Sequence, residues 1–462
     1  MVGRREQQRR IVNNAFFDEG NRRPVDGDRP YEISPPRPEV DLERFAPTLP
    51  LARLEDQDDD LLVVPGRIAV RAGTAAADAL RGSDDFVGGE PKEGIIIFEW
   101  AHDLDAAAVE TTLRVVGELA PPGEPHDIAP LYGFRTNQTN HHSDAPGPTA
   151  PLPDPAGPEG QGLRIAVIDT GVNATGPWVG GRINGPVNEQ DELVSAEPGA
   201  LPAPNLGFAA GHGNHVAGVV HQVVPSAEIV VRKAVNSDGF VDEPALFAIL
   251  ADIAQREQRP DIVVLPLGGP AVQLGSFGTA GNGQDWLEPQ LLLAGLELLI
   301  RECDGTVIVA SAGNDESPDR AYPAAFTISP VASPALRDRM VAVAALDHCR
   351  FRACFSNYGD WVSASTLGVH IRSQYVEGIW PAGHDPDRIE TDFRGNPYAM
   401  WSGTSFSTPA VAGLIALQTF ALRQGPLPAA TAVDGWSVLR ATGGTADPRL
   451  GVKLPPFMVA SA

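Results

Sequence analysis

Residues 162–171 read GLRIAVIDTG, and this stretch decides the fold. Leu163 to Ile168 is a compact apolar run that ends at a carboxylate, Asp169, and a glycine turn. An apolar run bounded by turn residues is the pattern of a strand buried on both faces. Working outward, Ile229 to Val231, Ile262 to Leu265 and Val307 to Ala310 repeat it. Helical patterns lie between them, notably Pro244 to Gln255 and Trp286 to Glu302. Short apolar strands separated by helices of that length imply right-handed crossovers and a mostly parallel sheet. The predicted class is α/β, with one large domain over residues 162–462.

Upstream the character differs. Residues 1–60 are rich in Pro, Arg and acidic residues and end in Glu55-Asp56-Gln57-Asp58-Asp59-Asp60, the composition of a disordered or loosely attached arm. Residues 61–135 carry a strand pair or bulged strand at Leu61 to Arg71, a buried strand at Gly94 to Trp100, and a short strand at Pro130 to Phe134. From Asp103 to Leu119, Val109, Leu113 and Val116 recur at helical spacing, with Asp103 or Asp105 available as a cap. The pattern predicts a small α+β domain. Residues 136–161 form a Pro/Gly-rich linker, densest at SDAPGPTAPLPDPAGPEGQG from Ser143 onward.

The 462 residues hold 35 Lys and Arg against 59 Asp and Glu, a net charge of −24. Nucleic-acid binding needs the opposite balance, and a polybasic membrane anchor is disfavoured for the same reason. The longest apolar-rich runs, Leu291 to Ile300 and Ala410 to Leu422, fall short of the roughly 18 residues of a membrane span and read as buried helices. Arg pairs near the start have no apolar stretch behind them, so no export signal is expected. Three cysteines, Cys303, Cys349 and Cys354, cannot build a disulfide framework. Together these features predict a cytoplasmic location. Cys349 and Cys354 beside His348 form half of a metal-binding pattern, without a second ligand pair.

Four short motifs carry chemistry, and each has a plain structural reading beside the functional one. Asp169 sits at the carboxyl end of a parallel strand, where α/β sheets place their sites, yet Asp also caps turns. In GHGNHVAGVV (211–220), His212 and His215 open an apolar helix; they suit a base and a packed core histidine, and the Glu of a zinc HExxH pattern is missing. In VIVASAGND (307–315), Asn314 follows a buried strand and offers an amide donor, though Asn at such a junction is also turn chemistry. In WSGTSFSTPAVAGLIAL (401–417), Ser405 opens a small-residue helix whose backbone N–H groups suit an oxyanion, or serves simply near its cap. In chain order the four supply an orienting carboxylate, an imidazole, an amide donor and a hydroxyl: the parts of triad-based acyl transfer.

On these residues the sequence resembles the subtilisin-like serine peptidases, or subtilases. AVIDTGV, HGNHVAG, ASAGN and GTSFSTP are similar to that family's Asp, His, oxyanion and Ser motifs. PLGGP (266–270), YPAAF (322–326), MVAVAALD (340–347) and FSNYG (355–359) fall between them in the family's order. The resemblance covers roughly 162–445. It implies a subtilisin-like three-layer fold, with Ser405 as nucleophile, His212 as general base, Asp169 as its orienting partner and Asn314 as oxyanion donor. It further implies that Leu267-Gly268-Gly269 and Ser311-Ala312-Gly313 line the primary specificity pocket, that His215 is structural, and that the substrate is a protein or peptide. No cofactor is implied for catalysis; structural calcium is common in the family, but no loop here has an EF-hand-like spacing. The small N-terminal domain resembles the pro-domain of many subtilases, implying intramolecular inhibition and self-cleavage between about 135 and 162.

The sequence departs from the family at Asn214, Pro266, Ala410 and the SASTLG stretch (363–368), none of which removes a reacting group. Two stretches, Asn173 to Ala210 and Gln374 to Ala399, are longer than a minimal member needs and would shape access to the cleft. Capture of the same acyl-enzyme by an amine would make a peptide ligase or macrocyclase, and loss of reactivity would leave a peptide-binding scaffold. Product masses separate the first from hydrolysis, and active-site labelling excludes the second.

Overall fold

The computed structural model describes residues 52–53, 62–102, 106–120, 126–136, 145–186, 189–191, 206–273, 286–380 and 391–456. The expected N-terminal arm lies outside them except for residues 52–53, as do the Asp103 and Asp105 caps and linker residues 137–144. The principal strands are β1 (Leu62–Arg71), β2 (Phe86–Gly88), β3 (Ile95–Trp100), β4 (Ile128–Thr136), β5 (Arg164–Asp169), β6 (Ile183–Asn184), β7 (Glu228–Lys233) and β8 (Phe240–Asp242). They continue with β9 (Ile262–Leu265), β10 (Leu267–Pro270), β11 (Val307–Ser311), β12 (Ala321–Tyr322), β13 (Met340–Leu346), β14 (Ala364–Leu367), β15 (Thr445–Asp447) and β16 (Gly451–Lys453). The helices are α1 (Ala75–Arg81), α2 (Ala106–Leu119), α3 (His212–Val223), α4 (Glu243–Gln255), α5 (Gln290–Glu302), α6 (Pro334–Arg339), α7 (Thr404–Gln424) and α8 (Ala432–Thr442).

Strands β15-β16-β14-β13-β11-β9-β5-β7-β6 lie side by side in that order. Every neighbouring pair except β15 with β16 runs parallel. Successive side chains on a strand face opposite sides, and here both sides are buried. Ile165, Val167, Ile262, Val264, Val307, Val309, Val341 and Val343 pack into one core with α3, α7 and α8. Ala166, Ile168, Val263, Leu265, Ile308, Ala310, Ala342 and Ala344 pack into another with α4 and α5. Burying a Val, Leu or Ile side chain stabilises by roughly 1.5–3 kcal/mol, which is why these strands read as unbroken apolar runs.

A second sheet orders its strands β12-β10-β4-β1-β3-β2, with β8 also on β4 and Ala52–Arg53 on β1. Strand β4 thus lies between β10 and β8, antiparallel to both. Its Tyr132 and Phe134 share the core of α4 and α5. Strand β1 shifts register on β4 between Val63 and Ile68, around Pro65-Gly66, so it is one bulged strand and not a pair.

Two boundaries move from the sequence reading. The helix expected from Trp286 begins at Gln290, because Pro289 disfavours helical backbone before it, and Trp286–Leu287 instead pairs with Val272–Gln273. The helix expected over Ala410 to Leu422 spans Thr404–Gln424. Its 21 residues are long and apolar enough to cross a membrane by composition alone, but they are mostly buried against the sheet, as in a core helix.

Candidate active site

Strand β5 delivers Asp169 to the carboxyl edge of the parallel sheet, fully buried. Helix α3, which follows β6 in the chain, has His212 as its first residue. His212 Nδ1 lies 2.9 Å from Asp169 Oδ1 and 2.8 Å from Oδ2, with both side chains out of contact with solvent. The carboxylate therefore fixes the imidazole and directs Nε2 away from itself. That nitrogen is buried and has no hydrogen-bond partner among the described residues.

A buried scaffold sets this pair. Thr170 Oγ1 donates to Asp191 Oδ2 (2.8 Å) and accepts from Gly213 N (3.1 Å), while Gly211 N donates to the same Asp191 oxygen (2.8 Å). The α3 N-terminus is thereby tied to the strand that carries Asp169. Gly213 packs so closely that an added Cβ would lie 2.1 Å from Gly171 O. Asn214 exchanges two hydrogen bonds with the backbone of Asn173 (2.9 Å each). Gln374 donates to Asn214 O (3.0 Å) and accepts from Trp178 N (2.9 Å), so the two long segments flagged in the sequence meet beside the His motif. His215 is buried against Phe406 and Trp401, and burial, with His212 nearby, pushes its pKa down to about 3, keeping it neutral.

Ser405 is the second residue of α7, which packs on α3; Phe406 next to it lies 5.4 Å from the His212 ring, centroid to centroid. Its Oγ donates to Pro266 O at 3.0 Å and not to His212. The hydroxyl and imidazole are brought to one place, but the bond between them is not made in this conformation; such bonds often close only when substrate binds. Asn314 Oδ1 accepts from Thr404 N and Thr404 Oγ1, each at 2.9 Å. Binding both through its oxygen leaves the amide NH₂ as the donor end facing elsewhere. Thr404 Oγ1 also accepts from Gly313 N (3.2 Å). Asn357 spans the same turn: its Oδ1 accepts from Asp315 N (2.8 Å) and Ser317 N (3.1 Å), and its Nδ2 donates to Ala312 O (3.0 Å).

A cavity opens beside Ser405, walled by Leu267, Gly268, Gly269, Ser311, Gly313 and Asn314. Ala312, between the last walls, is fully buried and contributes packing beneath them. Ser311 Oγ donates to Leu267 O (3.2 Å), joining the two walls. Arg135 and Thr136 of β4 close the cavity from the N-terminal side. Sequence reasoning missed Thr404, Asp191 and Gln374; their roles are hydrogen bonds to distant segments, though Asn357 was within reach through FSNYG. Among the described residues no three His, Cys, Asp or Glu converge as a metal site, and Cys349 and Cys354 are exposed and form no disulfide there.

A family model of the subtilases matches residues 160–439, which span every one of these motifs. The chain belongs to the subtilase family. Among its curated relatives is a thermostable alkaline protease of Halalkalibacterium halodurans, 29% identical over 274 residues, covering 56% of this chain and 57% of the relative. A thermophilic serine proteinase of Bacillus sp. is 30% identical over 265 residues, covering 55% of this chain and 52% of the relative. Thermitase of Thermoactinomyces vulgaris is 27% identical over 271 residues, 56% of this chain and 75% of thermitase. This subtilase thus spans little more than half the length of the first two. Its fold is similar to that of fervidolysin from Fervidobacterium pennivorans, with a TM-score of 0.52 and 18% identity, over 85% of this chain and 60% of that one.

Proposed function

We propose that this subtilase is a serine endopeptidase that hydrolyses peptide bonds through Asp169, His212 and Ser405. The observation that carries the reading is the buried His212–Asp169 pair, its outer nitrogen without a partner among the described residues, packed against the helix that carries Ser405 in its first turn. In this reading Ser405 Oγ leaves Pro266 O, attacks the substrate carbonyl carbon and passes its proton to His212 Nε2. Asp169 holds the ring and stabilises the imidazolium without taking the proton. The new oxyanion is met by the Asn314 amide and the Ser405 backbone N–H at the positive end of α7. His212 then protonates the leaving amine, and water, activated by the same imidazole, releases the acid and restores the hydroxyl. Nothing in these steps needs a cofactor.

The N-terminal segment supports the same reading. Strand β4 occupies the place of an added β-strand between β8 and β10, the mode by which sheet edges take extended peptides. It acts, in this reading, as an intramolecular inhibitor, and the linker after it is the processing region. Self-cleavage falls, in this reading, between about 135 and 162. The two exposed thiols fit action in a reducing compartment.

Incubation with a fluorophosphonate and with casein tests the proposal. Wild type should label at Ser405 and cleave casein, and Ser405→Ala should do neither. Casein cleavage by Ser405→Ala at the wild-type rate would overturn the assignment. Intact masses of the purified pair test processing: masses differing by one oxygen alone mean that the chain does not cut itself.

A further inference from the structure

Strand β4 fixes a register for any peptide that takes its place, an inference that rests on the peptidase reading above. Thr136 faces Leu267 and Arg135 faces Gly268; a substrate peptide that took this register and continued it by one step would set its next residue opposite Pro266. Pro266 O is the group on which Ser405 Oγ rests at 3.0 Å. The residue facing Pro266 is therefore the one whose carbonyl the hydroxyl can attack. Thr136 then holds the second position before the scissile bond and Arg135 the third.

The third position has a charged partner. Arg135 Nη2 lies 2.5 Å from Asp315 Oδ1, and the two side chains are only 11% and 16% exposed. Asp315 directly follows Asn314 and lines the same cavity as Ser405. It is held by Asn357, which accepts from its N–H (2.8 Å) and donates to its Oδ2 (3.3 Å). A carboxylate fixed in a shielded cleft gains more from a guanidinium than an exposed ion pair does, and a neutral occupant leaves it poorly compensated. The net charge of −24 draws cationic peptides toward the molecule and so acts in the same direction.

We propose that Asp315 is a specificity-determining residue that selects arginine, and next lysine, at the third position before the scissile bond. Peptides with an acidic residue there are disfavoured by like-charge repulsion.

The test uses the full chain and the peptide LYGFRTNQTN, residues 131–140, with versions carrying Ala or Glu in place of its Arg. Competition from β4 lowers the rates for all three peptides by the same factor, so the ratio of kcat/KM values is unaffected by how many clefts are occupied. The Arg peptide should be cut about tenfold faster than the Ala peptide, the scale of one charge-assisted contact, and the Glu peptide slowest. In Asp315→Asn the Arg-to-Ala ratio should fall to within about twofold, even if the variant slows both reactions by disturbing the neighbouring turn. Equal rates in the wild type would overturn the inference while leaving the peptidase reading intact. A tenfold preference that survives Asp315→Asn would overturn the assignment to Asp315. Failure to cut any peptide, alongside failure to label Ser405, would overturn the peptidase reading and this inference with it.

Discussion

Thr404 sits next to Ser405, yet its contribution runs through Asn314. Its hydroxyl and backbone N–H both donate to the Asn314 carboxamide oxygen and so aim the NH₂ end. Removing an oxyanion donor costs roughly 3–4 kcal/mol, or about 100- to 1,000-fold in kcat. Asn314→Ala should therefore lower kcat by about that factor with KM little changed, which steady-state kinetics on a fixed peptide would read. Thr404→Val removes one of the two tethers and should lower kcat about tenfold, while Thr404→Ser should restore it; a purely structural role would lower soluble yield without this split. The proposed site residues Asp169, His212, Asn314 and Ser405 stand out in sequence because each lies in a short run where the residue type and its strand or helix position coincide. Thr404 and Asp191 are not, because their function is a hydrogen bond closed by residues about 90 and 20 positions away.

At the scale of elements, the parallel strands β5, β7, β9 and β11 are legible because burial on both faces leaves a local apolar trace in each, whereas β6, β14 and β16 carry no such run. The ends are less so: a proline moved the start of α5 by four positions, and apolar periodicity alone could not anticipate it. The start of α3 depends on close backbone approach at Gly213, so Gly213→Ala should force α3 off β5. We expect a lower Tm and loss of activity together, measured by thermal unfolding and peptide cleavage. Helix α4 opens on Glu243, fully buried, whose carboxylate accepts from Tyr132 N of β4 (3.0 Å) and Leu292 N of α5 (2.9 Å). Burial pushes its pKa up to about 7, outweighing the backbone N–H groups that pull it down. The native state therefore binds more protons than the unfolded chain between the ordinary carboxyl value of 4.5 and about 7. The carboxyl's contribution to stability is complete below that window and declines by about 3 kcal/mol as pH rises through it. Glu243→Gln should flatten this decline, seen as a smaller difference between urea midpoints at pH 5 and pH 8.

For the whole molecule, β4 joins the N-terminal strands β1 to β3 to β8 and β10 at the cleft within one sheet, and that arrangement was only half legible. The Pro130 to Phe134 run announced a strand, but its full length, Ile128–Thr136, and its lodging between β8 and β10 depend on partners more than 100 residues away. Phe134 is fully buried in the shared core, and replacing such a ring by Ala costs about 3–5 kcal/mol. Phe134→Ala should therefore loosen β4 and raise the rate of fluorophosphonate labelling at Ser405 by at least about tenfold, with near-UV circular dichroism reporting that the catalytic fold persists. Once β4 departs, β8 and β10 are left as facing edges with unpaired N–H and C=O groups. Such a groove takes up an extended chain, and the most abundant source of one in a concentrated preparation is a sister molecule. Inactivation on storage should then follow second-order kinetics, its half-life halving with each doubling of enzyme concentration, and the occupied cleft would double as the molecule's own preservative.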